Sequence, residues 1–346
     1  MILILAQNDD LHADAVFSYI KDNKVKVAKF DPSQLLLGNT FFEEDLCNKS
    51  FLTINNEGAV LELENGQTIS TNEVEAVFNR MFYFESAPKE LSTAEHLAVA
   101  ECTTAVKTFF SILPKNCFWM NNPYVEDAVD NKLFQQRLAK EFGFNIPDTL
   151  ITNNAKSAKE FFKKHNNQVI IKQLSAISII ENPETATCEN DLEVYGFSTV
   201  ALDEKALENI EEYLFKGGTP AFFQKNIKKI TELRVTVAGN SLIAYRIHSQ
   251  DDPESITDFR RSFTLFNEKV ELNEDLKSKL IRYVKELGVH FSAIDLIEAE
   301  DGKIYFLEAN VQGNWLWLEL GNQGSEIASM VANELIAGAY NKNNLT

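Results

Sequence analysis

The sequence predicts a mixed α/β (α+β) fold, in which an N-terminal α/β unit precedes a region of mainly antiparallel strands. At the start of the chain, the apolar run MILILA, the amphipathic run LHADAVFSYIKDN and the apolar run KVKVAKF predict strand, helix and strand. The last third instead places apolar runs on either side of glycine turns, which predicts hairpins separated by amphipathic helices. A chain of 346 residues is long enough for two or three such domains.

We expect three domains, with boundaries where the sequence pattern changes. Residues 1–120 form an N-terminal α/β domain, residues 121–215 a central domain with a mobile loop, and residues 216–346 a C-terminal domain. In the first domain, Asn65-Gly66 is a strong signal for a hairpin turn. The run TAEHLAVAECTTAVKTFFSIL then predicts a long helix with an apolar stripe.

A helix near residue 130 opens the central domain. Asp130 or Asn131 can cap it, and its apolar positions predict which face is buried. These positions are Phe134, Leu138 and Phe142. The run NNQVIIKQL predicts a buried strand that ends at Lys172. Residues 174–193 are then expected to be irregular and polar, and a helix is expected over residues 203–215.

Composition and charge exclude several classes of function. The formal net charge of −18 disfavours a broad nucleic-acid interface or binding to an anionic membrane, because both need clustered Lys and Arg. No window approaches the roughly 20 apolar residues of a membrane span, and the N-terminal run is too short for a signal peptide. We therefore expect a cytoplasmic protein with reduced structural thiols. The cysteines are Cys47, Cys102, Cys117 and Cys188.

The run AIDLIEAEDGKIYFLEANVQGNW (293–315) combines a predicted hairpin with an unusual set of polar residues. If residues 301–302 form a two-residue Asp-Gly turn, Asp295 lies directly opposite Glu308. Asn310 is two positions further along and therefore shares their face. The other side chains expected on that face are apolar, which predicts a partly buried polar group. They are Ile297, Ile304 and Phe306.

Two facing carboxylates repel each other, so one must take up a proton or the pair must bind a cation. Carboxylate and amide oxygens suit Mg²⁺, which typically binds one or two carboxylates and completes its octahedron with water and phosphates. The alternative is a solvated hairpin end whose charges point into water. Spacing alone does not decide between these two interpretations.

Cations that would converge on nucleotide phosphates occur elsewhere in the chain. Lys132 lies at the start of a predicted helix, and Lys172 lies at the end of a buried strand. Taken singly, a helix-end lysine is more often solvated, and a hairpin arginine is more often part of a surface ion pair. The arginine candidates are Arg234, Arg246 and Arg260. The sequence contains no glycine-rich phosphate loop, so side chains and a mobile loop would have to hold the phosphates.

Several motifs occur in a recognisable order: DNKLFQQRLAKEFGFNIPDTL, VIIKQL, FFQKNIKKITELRVTVAGN, DFRR and the 293–315 hairpin. This order resembles the ATP-grasp superfamily. Within it, TELRVTVAG, HSQ before DFR, FLEANVQGNWLWLE and the early VFNRMF are most similar to the graspetide macrocyclases of the microviridin type. The resemblance is strongest over residues 120–325. It implies an ATP-grasp fold with an N-terminal α/β domain, a central lid-bearing domain and a C-terminal antiparallel-sheet domain.

The resemblance also implies a site for ATP and Mg²⁺. It implies that Lys132 and Lys172 contact the ATP phosphates, and that the FFQKNI strand is an interdomain hinge that binds adenine through its backbone. The implied metal ligands are Asp295, Glu308 and Asn310. The implied nucleotide-pocket residues are Gln224, Lys225, Ile227 and, for the ribose, Glu232. The implied catalytic arginines, which would hold the acyl phosphate or the transferred phosphoryl group, are Arg246, Arg260 and Arg234. The loop SAISIIENPETATCEND lacks the glycines of many relatives, which leaves its closure over ATP open.

The implied activity is macrocyclisation of a ribosomal precursor peptide with a leader and a core. ATP would phosphorylate its Glu or Asp side chains, and its Thr, Ser or Lys side chains would then form esters or amides. The resemblance also suggests a homodimer. Two alternatives stay open: a ligase that adds amino acids such as glutamate to a carboxylate terminus, and a non-catalytic nucleotide-binding interaction protein.

Overall fold

The computed structural model describes most of the chain, in ranges separated by short gaps. These ranges are residues 1–32, 35, 50–80, 92–174, 179–181, 193–195, 199–210, 218–262, 265–319 and 326–340. Side chains are described throughout them except at residues 95, 179–181, 193–195 and 208–210. Strands and helices are numbered in chain order within the described ranges.

A four-stranded parallel sheet organises the N-terminal part of the chain. Its elements are β1 (Ile2–Leu5), α1 (Leu11–Asp22), β2 (Val27–Phe30), β6 (Ala76–Asn79), α2 (Thr93–Ser111) and β7 (Phe118–Met120). The strand order is β2-β1-β6-β7, and every residue of β1 is buried. Asp10 caps α1, because its carboxylate accepts a hydrogen bond from the Ala13 amide at 2.8 Å. The predicted strand–helix–strand opening is therefore confirmed.

A three-stranded antiparallel sheet is inserted between β2 and β6. It consists of β3 (Phe51–Asn55), β4 (Gly58–Glu62) and β5 (Thr68–Ser70). The predicted turn at Asn65-Gly66 connects β4 to β5, but the Leu63 amide bonds to the Gln67 carbonyl at 2.8 Å, which makes the loop three residues long. Gly66 has a φ of +79°, which glycine adopts without a steric cost.

The central part of the chain contains an antiparallel sheet in the order β12-β9-β13-β8. Its elements are α3 (Pro123–Val129), α4 (Lys132–Glu141), β8 (Thr149–Thr152), α5 (Ala155–Lys164), β9 (Val169–Lys172), β12 (Val200–Ala201), α6 (Glu204–Ile210) and β13 (Ala221–Lys225). Helix α6 lies within the range predicted for a helix, and residues 211–217 lie outside the described residues. The segment 174–193 is not wholly irregular as expected, because β10 (Ile179–Glu181) pairs antiparallel with β11 (Glu193–Tyr195).

A five-stranded antiparallel sheet forms the C-terminal part, in the order β16-β15-β14-β17-β18. The elements here are β14 (Lys229–Ala238), β15 (Ser241–Ile247), β16 (Asn267–Val270), α7 (Glu274–Glu286), β17 (Phe291–Ala299), β18 (Ile304–Asn310), α8 (Leu316–Glu319) and α9 (Glu326–Tyr340). Helix α7 packs on one face of this sheet through Leu276, Leu280 and Tyr283. The predicted antiparallel second half is confirmed.

The last helix belongs to the same hydrophobic core as the N-terminal sheet. Ile327, Val331 and Leu335 of α9 pack in one cluster with Ile4 of β1 and Phe78 of β6. The division of the chain at residues 120 and 215 stays a prediction. The packing nevertheless shows that the C-terminal helix does not associate with residues 216–319 alone.

The hairpin β17–β18 differs from the predicted register near its turn. Ala299 bonds to Lys303, so the loop has three residues and Gly302 takes a φ of +77°. An irregularity in the pairing between Asp295 and Leu296 then leaves one residue of β18 unpaired and restores the Asp295–Glu308 pair. Ile304 and Phe306 were predicted to share the face of Asp295, and this prediction is wrong. Both pack with α7 on the opposite face of the sheet. Tyr305 takes the place opposite Ile297.

Two further findings concern the described residues only. None of their helices is long and apolar enough to cross a membrane. Of the cysteines, Cys102 and Cys117 are free thiols, and Cys47 and Cys188 lie outside the described residues. Burial raises the pKa of the Cys117 thiol to about 12, so this thiol is protonated at neutral pH.

Candidate functional site

Asp295, Glu308 and Asn310 lie together on one face of the C-terminal sheet, as the hairpin pattern predicted. Asp295 pairs with Glu308, and the Asn310 Nδ2 lies 3.0 Å from Asp295 Oδ2 and 3.5 Å from Glu308 Oε1. Asp295 is 7% exposed, and the Glu308 side chain is 14% exposed. The alternative of a solvated hairpin end is therefore not what the fold forms, since these charges lie largely out of water.

The two carboxylates differ in how their charges are balanced. Burial raises the pKa of Asp295, although Arg234 Nη1 donates to both of its oxygens at 2.8 Å and favours the ionised form. Burial opposes ionisation of Glu308 as well, but the cations around it, first Lys132 and then Lys172, hold the pKa of Glu308 below its usual range. Glu308 is thus the more firmly ionised member of the pair.

The lysines reach Glu308 from two different elements. Lys132 is the first residue of α4, and its Nζ lies 3.4 Å from Glu308 Oε2. Lys172 is the last residue of β9 in the central sheet. Burial lowers the pKa of the Lys172 ammonium, and the opposing attraction of Glu308 favours its charged form. The structure therefore brings Lys132 into an ion pair with Glu308 and places Lys172 where the charge of Glu308 acts on it.

Arg260 lies at the same place, in a short 3₁₀ turn at Phe259–Arg261. Its Nε and Nη2 donate to Asp258 at 2.8 and 2.7 Å, and its side chain remains 61% exposed. Burial opposes ionisation of Asp258, but Arg260 outweighs this effect and holds the pKa of Asp258 well below its usual range. The fixed Asp258 carboxylate therefore orients a guanidinium that also acts on Glu308 and Asp295.

Helix α4 is attached to β18 by two buried glutamines, which the sequence interpretation missed. Gln135 Nε2 donates to the Ala309 carbonyl at 2.9 Å, and its Oε1 accepts from the Ala309 amide at 2.9 Å. Gln136 Nε2 donates to the Leu307 carbonyl at 3.0 Å. The predicted apolar face was wrong in part, since Phe134 is 48% exposed while both glutamines are buried. These amides set the distance between Lys132 and Glu308.

The residues predicted to line a nucleotide pocket lie along and beyond β13. Gln224 is fully buried, its Nε2 donates to Thr149 Oγ1 at 3.0 Å, and its Oε1 has no partner among the described residues. Lys225 and Ile227 are partly buried. Glu232 is 5% exposed and accepts a hydrogen bond from Lys229 Nζ at 2.7 Å. Their role in binding a nucleotide stays a prediction.

The structure does not bring Arg246 into this cluster. Arg246 pairs with Leu233, and Leu233 pairs with Leu296, so Arg246 shares the face opposite to Asp295. Its Nε and Nη2 donate to Glu298 at 2.7 and 3.0 Å. The alternation of side chains along a strand decides this, because the position of Arg246 places it on the α7 side of the sheet. The expected contact between Arg246 and the reacting phosphoryl group is not supported by this geometry.

The donor set fits a hard divalent cation that keeps open coordination positions. Within the described ranges, no group of three or more His, Cys, Asp or Glu side chains is arranged to hold a metal. The site instead offers two carboxylates and an amide, which is the partial set that Mg²⁺ takes when phosphates and water complete its shell. Rotation of the Asn310 amide by half a turn would exchange Nδ2 for Oδ1 and present an oxygen ligand beside the two carboxylates.

Comparison with solved structures identifies the architecture. The chain is similar to a RiPP-associated ATP-grasp ligase from Chryseobacterium gregarium in complex with ADP and a leader and core peptide, with 26% identity, a TM-score of 0.81, and coverage of 100% of this chain and 99% of that chain. The chain has the ATP-grasp fold. The predicted resemblance to the ATP-grasp superfamily and its graspetide macrocyclases is confirmed.

Further ATP-grasp structures show the same likeness. The macrocyclase MdnB from Microcystis aeruginosa MRC is 25% identical with a TM-score of 0.72, and covers 97% of this chain and 98% of its own. The macrocyclase MdnC from the same organism, bound to the precursor peptide MdnA, is 24% identical with a TM-score of 0.79, and covers 97% and 99%. At 24% identity, the likeness to MdnC shows the fold alone.

The curated relatives are more distant from this ATP-grasp chain. A probable alpha-L-glutamate ligase of Histophilus somni strain 2336 is 23% identical over 201 residues, which are 57% of this chain. The chain spans about 60% of the length of that relative. No family model matches the chain.

Proposed function

We propose that the protein is an ATP- and Mg²⁺-dependent graspetide macrocyclase. The observation that carries the proposal is the convergence of charges from separate elements on Glu308. Lys132 comes from α4, Lys172 from the central sheet and Arg260 from a 3₁₀ turn, and each lowers the pKa of Glu308. Such a group of cations beside a carboxylate pair fits a metal-bound polyphosphate.

The chain's own residues would divide the work of holding the nucleotide. Asp295, Glu308 and Asn310 would hold Mg²⁺, and Lys132 and Lys172 would bind the phosphates. A bound Mg²⁺ would supply neutralisation of the charge that develops on the β- and γ-phosphates.

The adenosine end of the nucleotide would lie along β13. Adenine would lie at the backbone of Lys225 and beside Ile227, next to the unsatisfied Gln224 Oε1, which can accept a hydrogen bond from an exocyclic amine. Glu232 would accept hydrogen bonds from the ribose. These assignments come from the resemblance and from the burial of the residues.

The proposed reaction is the one that the resemblance to graspetide macrocyclases implies. A carboxylate oxygen of a precursor Glu or Asp attacks the γ-phosphorus, ADP leaves, and an acyl phosphate forms. A hydroxyl or amine of the same peptide then attacks the acyl carbon, loses its proton, and expels phosphate. As the resemblance implies, Arg260 and Arg234 would stabilise the oxyanion, and positioning would supply most of the rate. Each bond removes the elements of one water from the peptide.

The relatives support this proposal over the alternatives. The Chryseobacterium ligase, which is 26% identical, was solved in complex with ADP and a leader and core peptide. The name of the Histophilus relative favours a second candidate, a ligase that adds glutamate to a carboxylate. A homodimeric state, a cytoplasmic location and the three-domain division are part of the proposal.

The two candidate reactions differ in the sign of the mass change. Purified protein is incubated with ATP, Mg²⁺ and a Thr- and Glu/Asp-rich peptide encoded beside its gene, and the products are analysed by mass spectrometry and ADP release. Macrocyclisation predicts loss of one water mass per bond, whereas glutamate addition predicts a mass gain. A protein that binds nucleotide but releases no ADP with either substrate would instead be the non-catalytic alternative.

A further inference from the structure

The segment that directly follows Asn310 is held by side chains from the first 126 residues of the chain. Asn121 Nδ2 donates to the Val311 carbonyl at 3.0 Å. Gln312 Nε2 donates to Glu126 Oε2 at 2.6 Å. The same Asn121 also accepts hydrogen bonds from the Phe291 amide at 2.9 Å, at the start of β17. The position of this segment is therefore set from outside the hairpin that contains the carboxylates.

Arg80, at the end of β6, makes the most extensive of these contacts. Its Nη1 donates to the Gln312 carbonyl at 2.5 Å, and its Nη2 donates to the side chain of Asn314. Its Nε lies 3.2 Å from Asp10 Oδ2, and its guanidinium lies 5.5 Å from the centre of the Trp315 ring. Only 1% of Arg80 is exposed. Since both terminal nitrogens of the buried guanidinium donate to this segment, Arg80 is placed to fix the segment and not to bind a substrate.

Arg234 contacts the same segment from the face of the sheet that carries Asp295 and Glu308. Its Nη2 donates to the Asn314 carbonyl at 3.2 Å, while its Nη1 holds both oxygens of Asp295. The fit is close, because a Cβ on Gly313 would lie 2.7 Å from Arg234 Nη2 and 2.4 Å from the Ala293 Cβ. Asn314 is thus held by Arg80 through its side chain and by Arg234 through its backbone.

We propose that Arg80 is a positioning residue for the metal–nucleotide site. Through residues 312–314 it fixes the orientation of Arg234, and hence of Asp295, and the place of Asn310 at the end of β18. This inference rests on the proposed function, since it gives Arg80 a role in a site for Mg²⁺ and nucleotide. An arginine suits the role because its planar fork bonds two acceptors at fixed angles, which a lysine ammonium does not reproduce.

The test compares Arg80→Lys with Asp10→Asn. The first variant keeps the charge but loses the fork, and the second removes the ion pair but keeps an N-cap for α1. Binding of Mg·ADP is measured by calorimetry, and unfolding is measured without ligand. We expect Arg80→Lys to weaken Mg·ADP binding by about 10-fold, the lower end of the effect of losing a residue that contacts a metal ligand directly, because Arg80 acts through Asn314 and Arg234. Asp10→Asn should bind Mg·ADP as the wild type does, even if its unfolding temperature falls as far as that of Arg80→Lys.

Asn314→Ala provides a second variant, because Asn314 is exposed and its loss leaves the Arg80–Asp10 pair intact. It should weaken Mg·ADP binding in the same direction as Arg80→Lys. Wild-type affinity in both variants, or an equal loss in Asp10→Asn, overturns the inference and makes Arg80 a structural residue only. If the wild type binds Mg·ADP but modifies no peptide, the proposed activity fails while the binding comparison still decides the role of Arg80. If the wild type does not bind Mg·ADP, both proposals fail.

Discussion

The C-terminal sheet carries ionised groups on both faces, and the two sets are arranged differently. On one face, Arg246 is bound by Glu298 at 2.7 and 3.0 Å, and both residues belong to strands of the same sheet. On the other face, the negative charge of Glu308 is balanced by Lys132 from a helix and by Lys172 from a different sheet. Charges that strands of one sheet neutralise among themselves stabilise the sheet locally. Charges gathered from separate elements hold those elements around a common space, which is where we propose that the nucleotide binds.

The largest expected difference between the faces concerns their glutamates. Glu308→Gln should lower peptide modification at least about 100-fold, because it removes a proposed metal ligand and leaves Lys132 without its partner. Glu298→Gln is the matched control on the Arg246 face and should keep activity within about threefold while costing up to about 1 kcal/mol of stability. Mass spectrometry of the peptide product measures the loss of activity, and denaturant unfolding measures the loss of stability. Equal activity losses would show that the faces do not differ in function.

A second comparison uses the cations. Lys172→Met should lower the rate about 10- to 100-fold, because it removes a positive charge from the proposed phosphate site. Arg246→Met should change the rate little and should mainly lower stability, since Arg246 serves Glu298 on the opposite face. Steady-state kinetics with ATP as the varied substrate measure both. A large loss of rate in Arg246→Met would restore the catalytic role that the sequence resemblance implies.

Two tightly packed glycines test whether crowding matters more near the site than far from it. Gly313→Ala places a Cβ 2.7 Å from Arg234 Nη2, and Gly338→Ala places one 2.4 Å from the Phe118 ring. Both should lose about 1–3 kcal/mol of stability through overpacking. Only Gly313→Ala should also weaken Mg·ADP binding, because it displaces the guanidinium that holds Asp295. Calorimetry on both variants would contradict this if Gly338→Ala lost the same affinity.

The smallest expected effect concerns Glu126, a buried acid to which amide side chains donate hydrogen bonds. Burial raises the pKa of Glu126 to about 8, against hydrogen bonds from Gln312 and Asn79. Between its ordinary value of 4.5 and about 8 the folded state binds more protons than the unfolded state, so stability falls as pH rises through this window. Glu126→Gln should flatten that fall and raise the unfolding temperature at pH 8 by at least about 2 °C. Thermal unfolding scans from pH 4 to 9 measure this fall in stability. If stability falls as steeply with pH in Glu126→Gln as in the wild type, other groups cause the pH dependence.

The sequence predicted the local features of the site well and the long-range ones poorly. The Asp295–Glu308 pair followed from one hairpin, because alternation and turn position fix which residues face each other. The sequence did not reveal the bulge in β18, so Ile304 and Phe306 were placed on the wrong face. The buried face of α4 was also missed, since a glutamine that bonds to a distant backbone has the same local pattern as a solvated one.

The sequence by itself determined the order of elements, the hairpin carboxylates and the motifs that resemble ATP-grasp ligases. The tertiary structure decided which cations join those carboxylates. Lys132 forms an ion pair with Glu308, Lys172 acts on the charge of Glu308, and Arg246 lies on the other face. Arg80 reaches the segment after Asn310 from the far end of β6. The physical reason is that pairing within a hairpin depends on a few neighbouring residues. Convergence between sheets depends on the packing of whole cores, which no local period in the sequence records.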